Sequence, residues 1–196
     1  MFRDLSDGAK GAYCMIIGSL LLTSQDAITK WMTSSYHAGE ILFYRGIFTF
    51  LPIIFLVLWA GDIKLLKTRS FKSTLLRAIL GSATSVFVVL SFAFLPLATA
   101  LAIIFLSPIL LTALSVPFLG ERVGWRRWCA VFIGFCGVLL IIQPGQGGVW
   151  IYFLIPLFTA LLVTMRDIVT RRMKGGDTSL SILFYSMLAA VLTGGI

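Results

Sequence analysis

Five ionisable residues, Asp26, Lys30, Arg45, Arg166 and Asp167, fall within or at the edge of long apolar stretches of this sequence. A charge in such a setting is costly to bury, so each is a candidate for binding a solute or handling a proton. Asp26 lies about 7 Å below the end of the first stretch, taking Trp31 as its boundary, and Arg45 about as far below Glu40 at the start of the second. The linker between them is short, which lets the carboxylate and the guanidinium face each other. Lys30 sits one turn beyond Asp26 on the same helical face. Two chemistries fit: the cluster lines the outer mouth of a cavity and takes a charged solute or a coupling proton, or it is a static ion pair locking two helices. Arg166 and Asp167 are a similar pair near the end of a later stretch. They form an inverted twin of the first cluster, or Arg166 simply reaches out to the interface.

Neutral groups surround these charges. Ser24, Gln25 and Thr29 make a polar stripe on the first stretch, and hydroxyls there bond back to their own backbone or across to a neighbouring helix as well as to a solute. Tyr44 can stack on a solute or pack at an interface. Ser107-Pro108 falls in the middle of a stretch, where proline removes a backbone hydrogen bond and leaves a carbonyl to be satisfied by a partner or by cavity water. The small residues 81–85, and Ala130, Gly134 and Gly137, are expected to permit close helix packing. Glu121 with Arg122, Arg126 and Arg127 reads as a surface salt-bridge cluster that fixes helix ends, or as a gate.

The elements that must position these residues are membrane helices. Hydrophobic residues make up 59% of the 196 and charged residues 12%, with a mean hydropathy of +0.99. A soluble domain carries about 25% charged residues. Seven apolar segments are expected, at roughly 11–31, 40–60, 75–95, 97–118, 127–143, 149–170 and 179–196, most reaching the ~20 residues a bilayer core requires. Leu95-Pro96-Leu97 predicts a tight turn and residues 144–148 a glycine-rich one. The first segment lacks a small-residue cleavage site and is expected to stay as a helix. Cys14, Cys129 and Cys136 fall inside apolar segments and are expected to be small core residues without a disulfide.

The net charge of +8 does not imply a nucleic-acid partner, because the basic residues lie in short loops between apolar runs, in every other loop. Fourteen of the sixteen, Arg77 included, group on one side; Lys30 and Arg45 are nearer the other. The positive-inside rule then places the N-terminus in the cytoplasm.

Residues 21–55 align without gaps on 162–196, with ten of the thirty-five positions identical. The matches include Thr23/Thr164, Asp26/Asp167, Thr29/Thr170, Met32/Met173 and the tetrapeptide ILFY. The offset of 141 residues spans five helices, an odd number, so the second copy must enter the bilayer upside down. Residues 8–146 form a first five-helix unit and 147–196 the start of a second, inverted one. On this reading seven of ten spans are present, and the repeat is short by roughly 90 residues.

The stretch PLATALAIIFLSPILLTALSVPFLGERVGWRRWCAVFIGFCGVLLIIQPG (96–145) resembles the end of the first EamA-type unit of the drug/metabolite transporter superfamily. The stretch LLLTSQDAITKWM (20–32), with ILFYRGIF (41–48), resembles that unit's beginning. The resemblance implies ten helices in two inverted five-helix units, a central cavity, and cytoplasmic termini. It implies secondary transport of a small metabolite across the bacterial inner membrane by alternating access. Within the superfamily the chain resembles bacterial uptake carriers for S-adenosylmethionine or riboflavin; metabolite export is the other direction the family implies.

Other classes fit less well. The phosphate-cradling GxxxxGK[ST] loop is absent from the sequence, and its one histidine, His37, lies in an outer loop. No cofactor, metal or enzymatic constellation is expected. A seven-helix receptor and a non-transporting membrane fragment are the alternatives. Expected partners are a small-molecule substrate and the lipid bilayer, with a homodimer as the way to complete a cavity that the chain only half builds.

Overall fold

The structure, a computed structural model, describes residues 7–60, 68, 71–120, 124–142, 150–173 and 179–194. These form eight helices and, among the described residues, no strand: α1 (Asp7–Met32), α2 (Ala38–Ala60), α3 (Phe71–Phe94), α4 (Leu97–Ile104), α5 (Ser107–Leu119), α6 (Trp125–Ile142), α7 (Trp150–Arg172) and α8 (Ser179–Gly194). Among the described residues, four stretches are long and apolar enough to cross a bilayer: Ala38–Phe55, Phe71–Phe94, Leu97–Leu119 and Ile151–Arg172. The chain is an all-α, multi-pass membrane protein.

Burial follows the logic of a membrane rather than of water. Leu20 and Leu21 of α1, Phe55 and Leu58 of α2, and Phe132 and Ile133 of α6 are all exposed, which a bilayer tolerates and water does not. Between the helices, beside apolar residues such as Val89, Phe92 and Ile103, lie small hydroxyl residues: Ser82, Ser91, Ser115, Thr159 and Thr164 are buried. Small residues let helix backbones approach. Most of their hydroxyls are satisfied locally, Ser91 donating to Phe87 O at 2.7 Å and Thr159 to Ile155 O at 2.9 Å. Cys14 and Cys129 are exposed on α1 and α6, so the expectation that they are core residues is corrected. An apolar run in a bilayer has a lipid face as well as a core face, and the run alone does not say which a residue takes.

The fourth segment is two helices. Pro108 has no N–H to offer the carbonyl four residues earlier, and α4 ends at Ile104 while α5 begins at Ser107. Thr164 of α7 donates to Ser107 O at 3.1 Å and to Ala160 O at 2.8 Å, tying the break to the neighbouring helix. Pro96 caps the start of α4, as the sequence predicts. Gly120, at φ 68°, closes α5 in the left-handed conformation that glycine adopts without steric cost. The turn at 144–148, Glu121 and Arg122 lie outside the described residues.

Contacts along the helices give their directions. Gly46 meets Val191 and Phe50 meets Phe184, so α2 and α8 are antiparallel. Arg77 meets Thr170, Phe87 meets Phe158 and Ser91 meets Thr159, so α3 and α7 are antiparallel as well. At the other end of α3, the Lys30 ammonium of α1 donates to the carbonyls of Phe92 and Leu95. The end of α1 therefore lies beside the end of α3, whereas α7 runs the opposite way along it. Arg172 donates to Phe118 O, and Arg127 shares a crevice with Arg171. The start of α6 and the end of α7 thus carry their cations at one end of the bundle, beside the end of α5.

Close approach explains two glycines. A Cβ on Gly134 would stand 2.0 Å from Ile109 Cδ1, which fits the packing role read for that residue. A Cβ on Gly46 would stand 2.5 Å from Val191 Cγ2 and 3.4 Å from the Val191 backbone nitrogen. Gly46→Val is expected to destabilise the α2–α8 contact by about 1–3 kcal/mol, the usual cost of overpacking. Thermal unfolding of the purified protein checks this, and an unchanged melting temperature would mean that the two helices yield freely.

Candidate functional site

A cavity of about 200 Å³ opens where α2, α3, α7 and α8 meet. From α2 it is lined by Leu42, Arg45 and Gly46, from α3 by Arg77, Gly81 and Ser85, from α7 by Arg166, and from α8 by Leu183 and Ser186. Three guanidiniums thus share one small space inside a helix bundle. Arg45 is seven residues from the start of α2 and Arg77 six from the start of α3, each about 10 Å from a helix end at 1.5 Å per residue. Both are within reach of the bundle interior.

The three cations are held differently. Arg166 places Nε and Nη2 on Asp167 Oδ1, at 3.1 and 3.0 Å, and so carries its own countercharge. Arg77 donates from Nε to Thr170 Oγ1 at 2.9 Å and from Nη1 to Ser186 Oγ at 3.2 Å. Both partners are neutral. Thr170 Oγ1 in turn donates to Arg166 O at 2.8 Å, which fixes its hydroxyl so that its lone pairs face Arg77. Arg45 makes no side-chain hydrogen bond among the described residues. Asp26 acts on it electrostatically, but no ion pair joins the two.

Several residues singled out from the sequence are therefore placed apart. Asp26 is half-buried on α1 and outside the cavity lining, and the expectation of a direct Asp26–Arg45 pair is not met. Lys30 turns away from that cluster to the last carbonyls of α3, where an ammonium suits the negative end of the helix dipole. Tyr44 is exposed, its ring edge-on to Phe43, and does not reach the cavity. The Gln25 carbonyl accepts from Thr29 Oγ1 at 2.8 Å, and Gln25 is not among the lining residues. Ser107 and Pro108 form the α4–α5 break, on a different side of α7. Arg45 and Arg166 line the cavity, and Asp167 holds Arg166.

Arg77 is the residue that sequence reasoning leaves out of the site. It groups with the cations of the positive side, within the expected 75–95 segment, and the structure places it in α3 on the cavity wall. The signal was available: Arg77, Gly81 and Ser85 repeat every four residues, which sets one charge and two small residues on a single helix face. The stretch 81–85 is also more than packing. Ser82 and Thr84 are buried against neighbours, but a Cβ on Gly81 would meet nothing within 4 Å, because Gly81 borders the cavity.

The comparisons with known proteins agree with this architecture. The EamA-like transporter family matches residues 9–143. The chain belongs to that family. Among curated EamA-type relatives, it is 28% identical to an S-adenosylmethionine uptake transporter of Rickettsia bellii, over 96% of this chain and 66% of the relative. It is 26% identical to a riboflavin transporter of Rhizobium johnstonii, over 95% of this chain and 62% of that protein. It is 25% identical to a pseudopaline exporter of Pseudomonas aeruginosa, over 93% and 64%. The chain thus spans just under two thirds of the length of these relatives. No solved structure matches it.

Proposed function

We propose that this protein works in secondary transport, moving a small metabolite across the bacterial inner membrane by alternating access around the arginine-lined cavity. The observation that carries this reading is the position of the cavity. It lies where α2 and α3 meet α7 and α8, and α7 and α8 hold the sequence that repeats α1 and α2. Carriers built from inverted repeats hold their solute at such a junction. The end of α1 beside the end of α3, with α7 antiparallel to α3, supports the inverted relation, as does the recurrence of Thr-x-x-Asp-x-x-Thr in both helices. The clustering of cations at the start of α6 and the end of α7 supports a cytoplasmic N-terminus.

Uptake into proteoliposomes tests the reading, with S-adenosylmethionine and riboflavin as the first solutes and an imposed proton gradient as the first driving force. Solute accumulation that exceeds that of empty liposomes and saturates with concentration is expected. Solute movement that never saturates in any gradient or direction would overturn it. A protease-sensitive tag at the N-terminus, shielded in spheroplasts, is expected for the proposed orientation.

A further inference from the structure

The relatives named for S-adenosylmethionine, riboflavin and pseudopaline differ too much in chemistry to say what this cavity takes, but its hydrogen-bond inventory is more specific. A guanidinium has five N–H donors in a rigid fork. Arg166 spends its fork on Asp167. Arg77 uses two donors, on hydroxyls that bring no charge, and its other three have no partner among the described residues. Arg45 leaves all five unspent there. These donors are not sealed off, because the one buried side-chain atom without a partner among the described residues is Ser82 Oγ. They open on the cavity that both arginines line.

We infer that the cavity binds the acidic group of an anionic small metabolite, a carboxylate or a phosphate, in the unspent N–H groups of Arg45 and Arg77. The inference rests on the transport reading and assigns its substrate class. Arg166 offers the solute no fork, since Asp167 already takes it. Thr170 and Ser186 hold the Arg77 fork in place without adding charge, and Asp167 acts on Arg77 only through space. Oxyanions satisfy an arginine fork with two parallel bonds, which neutral amides and alcohols do not match. A cavity of about 200 Å³ is smaller than the roughly 300–1,000 Å³ of sites that enclose a whole drug-sized ligand. It therefore seats the acidic end of a solute, the remainder extending between the helices.

The test compares each acid with a partner that lacks the acidic group: nicotinate with nicotinamide, methionine with methioninamide, and glycerol 3-phosphate with glycerol. Riboflavin, which carries no acidic group at neutral pH, is added singly. Melting of the purified full chain is followed through its five tryptophans, because a ligand that binds the folded state raises the melting temperature. An upward shift is expected with the acid and not with its partner in at least one pair. Arg77→Gln is expected to weaken that acid at least about tenfold, and Arg77→Lys, which keeps the charge but loses the fork, to fall between. The carboxylate and phosphate arms separate the two sources of the anion. No discrimination in any pair, or a preference that survives Arg77→Gln, would overturn the inference. The comparison within pairs on the unmutated protein decides the matter even if a variant does not fold. The transport reading fails separately. Acid-selective binding without saturable uptake keeps the substrate class and removes transport, whereas saturable uptake of riboflavin without acid selectivity does the reverse.

Discussion

Gly81→Leu is expected to abolish uptake, by about a hundredfold or more, while the protein still inserts and melts at or above its normal temperature. The two halves of this expectation have separate causes. A Cβ at Gly81 meets nothing within 4 Å, so no neighbour must move where the side chain leaves the backbone. Leucine also favours an α-helix over glycine by about 0.5–1 kcal/mol, which offsets any small loss of packing. The space it enters, however, is the cavity itself, whose volume is only about 200 Å³. A four-carbon side chain beside Arg77 displaces solute and apolar surface desolvates the guanidinium. Gly81→Ala, a single methyl, is expected to give a smaller loss. Uptake by Gly81→Leu close to that of the unmutated protein would mean that the solute passes elsewhere. Loss of both uptake and melting temperature would return Gly81 to a packing role.

The same residue marks the boundary of what the sequence discloses. Composition and run length establish the membrane class, because no soluble surface is built from 12% charged residues. Segment positions follow from Pro96 and from the glycines and basic clusters between runs, and the observed helices depart from them by a few residues. The break before Ser107 is legible because proline carries its own local rule. What run length does not disclose is which side of an apolar helix faces a neighbour and which faces lipid. Hydrophobic periodicity is weak when both surroundings are apolar, so Cys14 and Cys129 were assigned to a core they do not enter.

The site was partly legible for a related reason. Arg45, Arg166 and Asp167 stand out because a charge in an apolar run is rare, and two of the three line the cavity while the third anchors Arg166. Arg77 was hidden by the positive-inside rule, which counts cations near a segment end without asking where their side chains go. Lys30 was misread for the opposite reason. Its spacing from Asp26 suggested a cluster, but the last turn of α3 supplied unsatisfied carbonyls closer to hand. Such helix ends come from the packing of distant segments, 62 and 65 residues away in this case, and no local pattern reveals them.

Asp26→Asn and Arg45→Gln are each expected to lower uptake about tenfold or more, and exchanging the two residues is not expected to restore it. Arg45 offers its fork to the cavity with no hydrogen-bonded partner among the described residues, so losing it removes an anion contact that lysine would replace only in part. Asp26 acts on Arg45 through space; it steadies the charge without occupying the N–H groups a solute needs. A direct ion pair behaves differently in an exchange, because reversing both charges rebuilds the same bond. Here the exchange would put a carboxylate in the cavity, where an incoming acid would meet repulsion next to Arg77. Restoration of uptake by Asp26→Arg with Arg45→Asp would therefore establish a static pair and remove Arg45 from solute binding. Normal uptake by both single variants would remove Asp26 and Arg45 together and leave Arg77 as the cavity's one open fork.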